Sequence, residues 1–129
     1  MKQFRDPKDV HKPVGAYSHQ VEISGGERLL VISGQIGMRE DGDIPDDPVE
    51  QTALAMETVL RNVRAAGMAV TDLLKVMFYF VGSLDSARLR TVLLNKLQGH
   101  QPTSTAVYVT ALGRPNYRVE IEAWASRVT

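Results

Sequence analysis

The chain has 129 residues, 43% of them hydrophobic and 23% charged, a composition that fits one globular domain over 1–129, able to bury roughly two thirds of the surface its unfolded form exposes. Fifteen basic and fifteen acidic residues cancel to a formal net charge of zero without a long block of one sign, which argues against a phosphate-tracking nucleic-acid surface. The absence of cysteine excludes disulfides, thiolate nucleophiles and zinc–thiolate sites, and the histidines at 11, 19 and 100 match no metal-ligand spacing, so no metal is expected.

The N-terminal stretch "MKQFRDPKDVHKP" is too polar for a signal peptide, and no apolar run approaches the roughly 18 residues a membrane helix needs. A cytoplasmic protein with no membrane partner is expected. Residues 1–14 read as an irregular arm. Gly25 and Gly26 then split "HQVEI" from "RLLVISGQI", which predicts two strands joined as a hairpin.

The polar loop "MREDGDIPDD" leads into "DPVEQTALAMETVLRNVRAAG", which predicts a helix. Asp47 can cap it, Pro48 suits the first helical position, Glu50 stands three residues after the cap, and Gly67 can close the end. Val49, Ala53, Met56, Leu60 and Val63 recur at three- and four-residue steps and form one apolar stripe. "LLKVMFYFV", residues 73–81, is short and rich in aromatic and branched residues, which predicts a strand. Its two-residue period sends Val76, Phe78 and Phe80 to one face and Met77, Tyr79 and Val81 to the other.

"SLDSARLRTVLLNKLQG" predicts a second helix, capped by Ser83 or Asp85, with Leu89, Val92, Leu93 and Lys96 or Leu97 on or near its buried stripe. Strands at "TSTAVYV" and "YRVEIEAWAS" complete the chain. The order strand, strand, helix, strand, helix, strand, strand predicts a mixed sheet with two helices on one face. A central strand that is apolar on both faces needs cover on the second face as well. A homo-oligomer packing its bare sheet faces around a symmetry axis would supply it.

The residues able to carry chemistry are few. Glu120 and Glu122 stand two apart on a strand, hence on one face and roughly 6 to 7 Å from each other, with Arg118 and Trp124 on the same face. In a buried crevice such carboxylates must be paired, by Arg118 and a neighbour's basic group, or used, with Glu120 as general base or acid toward a bound water. Tyr17 follows Gly15 in "VGAYSHQ", where a ring can pack or close over a pocket. "VISGQIG" puts Ser33 and Gly34 at a strand end, where the glycine permits close approach of a backbone or ligand.

Taken together, "GAYSHQ", "VISGQIG", "EQTALAMETVLRNVRAAG", "DLLKVMFYFV" and "VEIEAWA", collinear over about residues 12–127, resemble the Rid (YjgF-like) family of reactive intermediate deaminases. The resemblance implies an α+β, chorismate-mutase-like (bacillary type) sandwich: a mixed six-stranded sheet with two helices on one face, assembled as a homotrimer with small-molecule pockets at its subunit interfaces. No cofactor is implied. The activity implied is hydrolysis of short-lived imines and enamines, such as 2-aminoacrylate, to 2-keto acids and ammonia.

By the same resemblance Tyr17 closes the pocket, Ser33 and Gly34 line it, and Glu120 orients or activates water. Ala106 falls where a backbone amide is usually donated, and Tyr108 replaces a residue that is often glutamate. One position departs: in "HQPTSTAVYV", Ser104 stands where deaminating members carry the arginine that grips the substrate carboxylate. Exchanging charge-assisted bonds of roughly 1.5 to 3 kcal/mol each for a hydroxyl worth about 0.5 to 1.5 lowers affinity for an anionic imine at least about tenfold. Arg114 or Arg118 could resupply the charge; without them the pocket suits a neutral or differently charged molecule. The functions to be weighed are therefore a Rid-type hydrolase of altered specificity, a non-catalytic metabolite-binding trimer, and an endoribonuclease or translation inhibitor, the last disfavoured by the absence of a basic track.

Overall fold

The computed structural model describes residues 1–129. In chain order it contains β1 (Lys2–Arg5), β2 (Gln20–Ile23), β3 (Arg28–Ile36), α1 (Pro48–Ala65), a 3-10 turn (Val70–Asp72), β4 (Leu73–Phe80), α2 (Ser86–Leu97), β5 (Thr103–Tyr108) and β6 (Val119–Arg127). The architecture is α+β, with both helices on one face of a mixed sheet. The six strands do not form one sheet: β3, β6, β4 and β5 lie side by side in that order, while β1 and β2 form a separate pair. Only the β4–β5 contact is parallel within the larger sheet, because the intervening α2 supplies the crossover that parallel neighbours require.

The two-residue period of the central strands decides what is buried. Val76, Phe78 and Phe80 of β4 and Val119, Ile121, Ala123 and Ala125 of β6 lie under the helices, packed against Met56, Val59, Leu60 and Val63 of α1. Leu97 of α2 is buried in the same core, and Leu89 and Leu93 pack against it. Asp47 caps α1 by accepting from the Val49 amide at 3.2 Å, and Asp85 caps α2 by accepting from the Arg88 amide at 3.0 Å. Glu50 does not close a capping box; its carboxylate takes Arg39 at 2.5 Å instead. The buried stripe of α1 is also wider than the sequence predicts, taking in Gln51, Thr52, Ala55 and Val59, while Ala53 lies at its margin. No helix is long and apolar enough to cross a membrane.

Two expectations for the N-terminal region are corrected. The arm is not irregular at its start, since Lys2–Arg5 pairs antiparallel with Gln20–Ile23. The predicted hairpin between the second and third strands does not form either: Gly25 and Gly26 reverse the chain at positive φ, but β2 pairs with β1 and β3 with β6. Glu27, directly after the turn, explains the divergence. Its side chain, only 1% exposed, turns inward to accept from Lys2 Nζ at 2.7 Å and Ser126 Oγ at 2.8 Å, beside the N-terminal ammonium.

That setting holds the Glu27 carboxyl at about 2, below its ordinary 4.5, chiefly through the Lys2 hydrogen bond and then the N-terminal amine and Ser126, against the opposing effect of burial. A depressed carboxyl contributes stability that is complete above the unfolded value and is lost as pH falls through the folded one. Stability of the wild type, read by urea denaturation, is therefore expected to fall as pH drops from about 4.5 to about 2, and Glu27→Gln to flatten that part of the profile. An unchanged acid limb in the variant would assign the loss to other carboxyls.

The loop between β3 and α1 is fastened to the helix start. Arg39 bridges Asp43 and Glu50, both at 2.5 Å, and Gln51, fully buried, donates to the carbonyls of Pro45 and Asn116 at 2.9 and 3.0 Å. Its amide oxygen accepts from the Arg118 backbone N–H at 2.9 Å, so one side chain sets both this loop and the entry to β6. Gly37 must lack a side chain here, because a Cβ would come within 2.5 Å of Gln51 Cα. Gln51→Leu keeps the volume but orphans three backbone groups, each costing roughly 1 to 3 kcal/mol when buried. A destabilisation of about 3 kcal/mol or more in chemical denaturation is expected.

Candidate functional site

The sheet face away from the helices carries the first cluster. β6 alternates so that Glu120, Glu122 and Trp124 point to this face, opposite the buried Val119, Ile121, Ala123 and Ala125. β4 lies antiparallel beside it with Tyr79 against Glu120 and Met77 against Glu122. The Tyr79 hydroxyl donates diagonally to Glu122 Oε1. This bond to a carboxylate, with burial and the nearby charge of Glu120, pushes the Tyr79 phenol above its ordinary value, so it remains a proton donor.

Glu122 is thus engaged, whereas the Glu120 side chain makes no hydrogen bond or ion pair. Glu120 lies instead against Gly34. β3 slips register with β6 between Ile32 and Gln35, three residues spanning what two span on the partner, and this bulge brings residues 33 and 34 over the carboxylate. Any side chain at 34 would overlap the Glu120 carboxylate, which gives the glycine its reason. The flank of this cluster is apolar and open: Leu29, Val31 and Trp124 are 53%, 60% and 45% exposed.

The second cluster lies across the sheet. Ser104 is level with Val76 and Ala106 with Phe78 in the parallel β4–β5 ladder, so both belong to the helix-covered side. Ser104 lines a cavity of about 480 Å³ between α2 and the start of β5, walled by Phe78, Leu89 and Leu93, with Arg90 and Tyr17 also on its lining. Tyr17 is held there because Ser18, buried beside it, donates its backbone N–H to Pro102 O at 3.2 Å and its hydroxyl to Gln101 O at 2.6 Å. Beyond Tyr17 is a larger, more polar hollow of about 620 Å³ lined by Asp6, Lys8, His11 and Lys12.

Within one chain, then, the expected site residues separate. Ser33, Gly34 and Glu120 gather on the open face, Tyr17 and Ser104 under α2, and the sheet stands between them. One protomer alone does not bring Glu120 to Ser104. Ala106 is exposed and outside the cavity lining, and Tyr108 is 65% exposed with its ring 5.6 Å from that of Phe80. Arg118 does not pair with the carboxylates: it donates to the carbonyls of Val81 at 2.9 Å and Ser83 at 3.3 Å. Arg114 lies exposed in the turn before β6 with no partner for its guanidinium. Arg90 was not singled out from the sequence, although its spacing from Ser86, Leu93, Leu94 and Leu97 puts it on the same side of the helix.

Comparison with known proteins places this architecture. The family described as Endoribonuclease L-PSP matches residues 8–127. TdcF of Escherichia coli is 30% identical over 131 residues, covering 98% of each chain, and its crystal structure with bound serine superposes with a TM-score of 0.71 at 28% identity, covering 98% of this chain and 99% of that one. The mouse 2-iminobutanoate/2-iminopropanoate deaminase is 30% identical over 114 residues, 87% of this chain and 82% of its own length. YyfB of Yersinia pestis, a conserved Rid-family protein of unknown function, superposes with a TM-score of 0.86 at 26% identity over 96% of this chain and 97% of its own. The family match covers residues 8–127 and the relatives align over nearly the whole length with the same overall fold, so the chain belongs to the Endoribonuclease L-PSP (YjgF/Rid) family.

Proposed function

We propose that the protein hydrolyses small reactive imines or enamines in pockets that adjacent protomers of a homotrimer build together. The observation that carries this is the unbonded Glu120 carboxylate, set against the Gly34 bulge on a sheet face whose Leu29, Val31 and Trp124 invite cover by another subunit. The two clusters would share a pocket if the open face of one protomer docked against the α2–β5 side of the next, which carries the Tyr17–Ser104 cavity. The relatives support the substrate class: one bears the name of an iminobutanoate and iminopropanoate deaminase, and another holds serine.

In this scheme water adds its oxygen to the imine carbon while Glu120 accepts one water proton. That proton passes to the substrate nitrogen to give a carbinolamine, the hydroxyl proton follows it to nitrogen as the C–N bond breaks, and ammonia and a 2-keto product leave. An enamine first tautomerises to the imine by protonation at carbon and loss of the N–H proton. No redox step is involved. Tyr17 and Ser33 close the pocket, Ser104 and the amide of Ala106 position the substrate, and Gly34 lets the carboxylate and the substrate approach the strand. The test is ammonia release from 2-aminoacrylate generated in situ. Release above the spontaneous rate is expected; none from intact oligomer would sink the hydrolase and favour a non-catalytic metabolite-binding trimer, the reading that serine at 104 supports, seen as ligand-dependent thermal shifts without product.

A further inference from the structure

We propose that Arg90 on α2 is the residue that holds a substrate carboxylate in the cavity beside Ser104 and so sets specificity there; this rests on the pocket assignment above. Ser104 brings no charge to the cavity from the strand, but Arg90 brings one from the helix. Arg90 is on its lining together with Ser104 and Tyr17.

Three features mark these groups as available for a ligand. Most arginine side chains are engaged: Arg5, Arg28, Arg39, Arg61, Arg64, Arg88, Arg118 and Arg127 each donate to a side chain or carbonyl. Arg90 and Arg114 donate to nothing, and of these only Arg90 lines the cavity. The Ser104 hydroxyl has no partner, and the Tyr17 oxygen accepts from the Val14 amide at 3.3 Å, leaving its own proton free. The remaining wall is apolar, formed by Phe78, Leu89 and Leu93. The exposed Arg90 stands at the rim of this apolar wall, and the forked donors of a guanidinium match the two oxygens of a carboxylate. The wall in turn takes a short aliphatic tail. Arg90 stands on a helix with its neighbours packed into the core, so its backbone is fixed before any ligand arrives.

The probe is 2-oxobutanoate, the keto acid that hydrolysis of 2-iminobutanoate yields, with 2-oxobutanamide as its uncharged counterpart, both titrated calorimetrically into the full-length protein. Wild type is expected to prefer the carboxylate by about tenfold or more. Arg90→Met, which keeps helix propensity and stem volume, is expected to erase that preference while leaving amide binding and thermal stability in place. Arg114→Met is expected to change nothing. Equal carboxylate preference in wild type and Arg90→Met, or no preference in the wild type, would overturn the assignment. Ammonia release measured on the same samples separates the two proposals. Carboxylate binding that depends on Arg90 in a protein without turnover keeps the anion site and removes the hydrolase. Turnover with a carboxylate preference indifferent to Arg90 does the reverse.

Discussion

Glu120→Ala is expected to lower ammonia release by about a hundredfold or more while the protein stays folded and assembled. The size follows from what general-base assistance contributes, typically between a hundred and ten thousand. The selectivity follows from the surroundings. Glu120 holds no hydrogen bond or ion pair that its removal would orphan, and the space it vacates borders a glycine. Glu122 cannot take over, because the Tyr79 hydroxyl fixes its carboxylate two residues along the strand. Glu120→Gln sharpens the result: it keeps shape and removes basicity, so a rate equally low identifies proton transfer as the lost contribution. A rate near wild type in both variants would remove the carboxylate from the chemistry.

Val31→Asp is expected to convert the oligomer into folded monomers and to abolish turnover with it. Val31 is 60% exposed in the single chain, so a charge there meets water and the protomer tolerates it. In the proposed assembly the same position is covered, and each protomer would bury an unpaired carboxylate at a cost of several kcal/mol, repeated around the symmetry axis. Light scattering after size exclusion reads the mass, and circular dichroism the fold. A wild-type chain eluting as a monomer, or a Val31→Asp trimer with full activity, would refute the interface.

The sequence was most legible where local chemistry and burial agree. Asp47 and Pro48 announce the start of α1, and Asp85 caps α2, because caps satisfy amides a few residues away and need no tertiary partner. The alternation of Val119 to Ala125 and the two greasy faces of β4 identify the central strands in the same way. β1 was hidden because an inward position is Lys2, whose ammonium is neutralised by Glu27 and lies 3.5 Å from Asp72, residues far off in sequence. The pairing of β2 with β1 was hidden for the same reason: a turn sequence states that the chain reverses but not which strand waits alongside.

The candidate site was legible residue by residue and illegible as an arrangement. Glu120 and Glu122 share a face by the strand period alone. The face of Ser104 relative to them depends on the register of β5 against β4, which a helix and two loops set. Arg90 escaped notice because an exposed arginine on an amphipathic helix resembles any solvated residue until the strand opposite is placed.

The β-sheet therefore acts as a partition. Residues that would handle water stand on one side and residues that would grip the ligand on the other, anchored to different backbones and tethered by different contacts. A substitution on the gripping side, such as one that removes or adds a positive charge there, would leave the opposite side undisturbed. A fold divided this way can change its diet without relearning its chemistry.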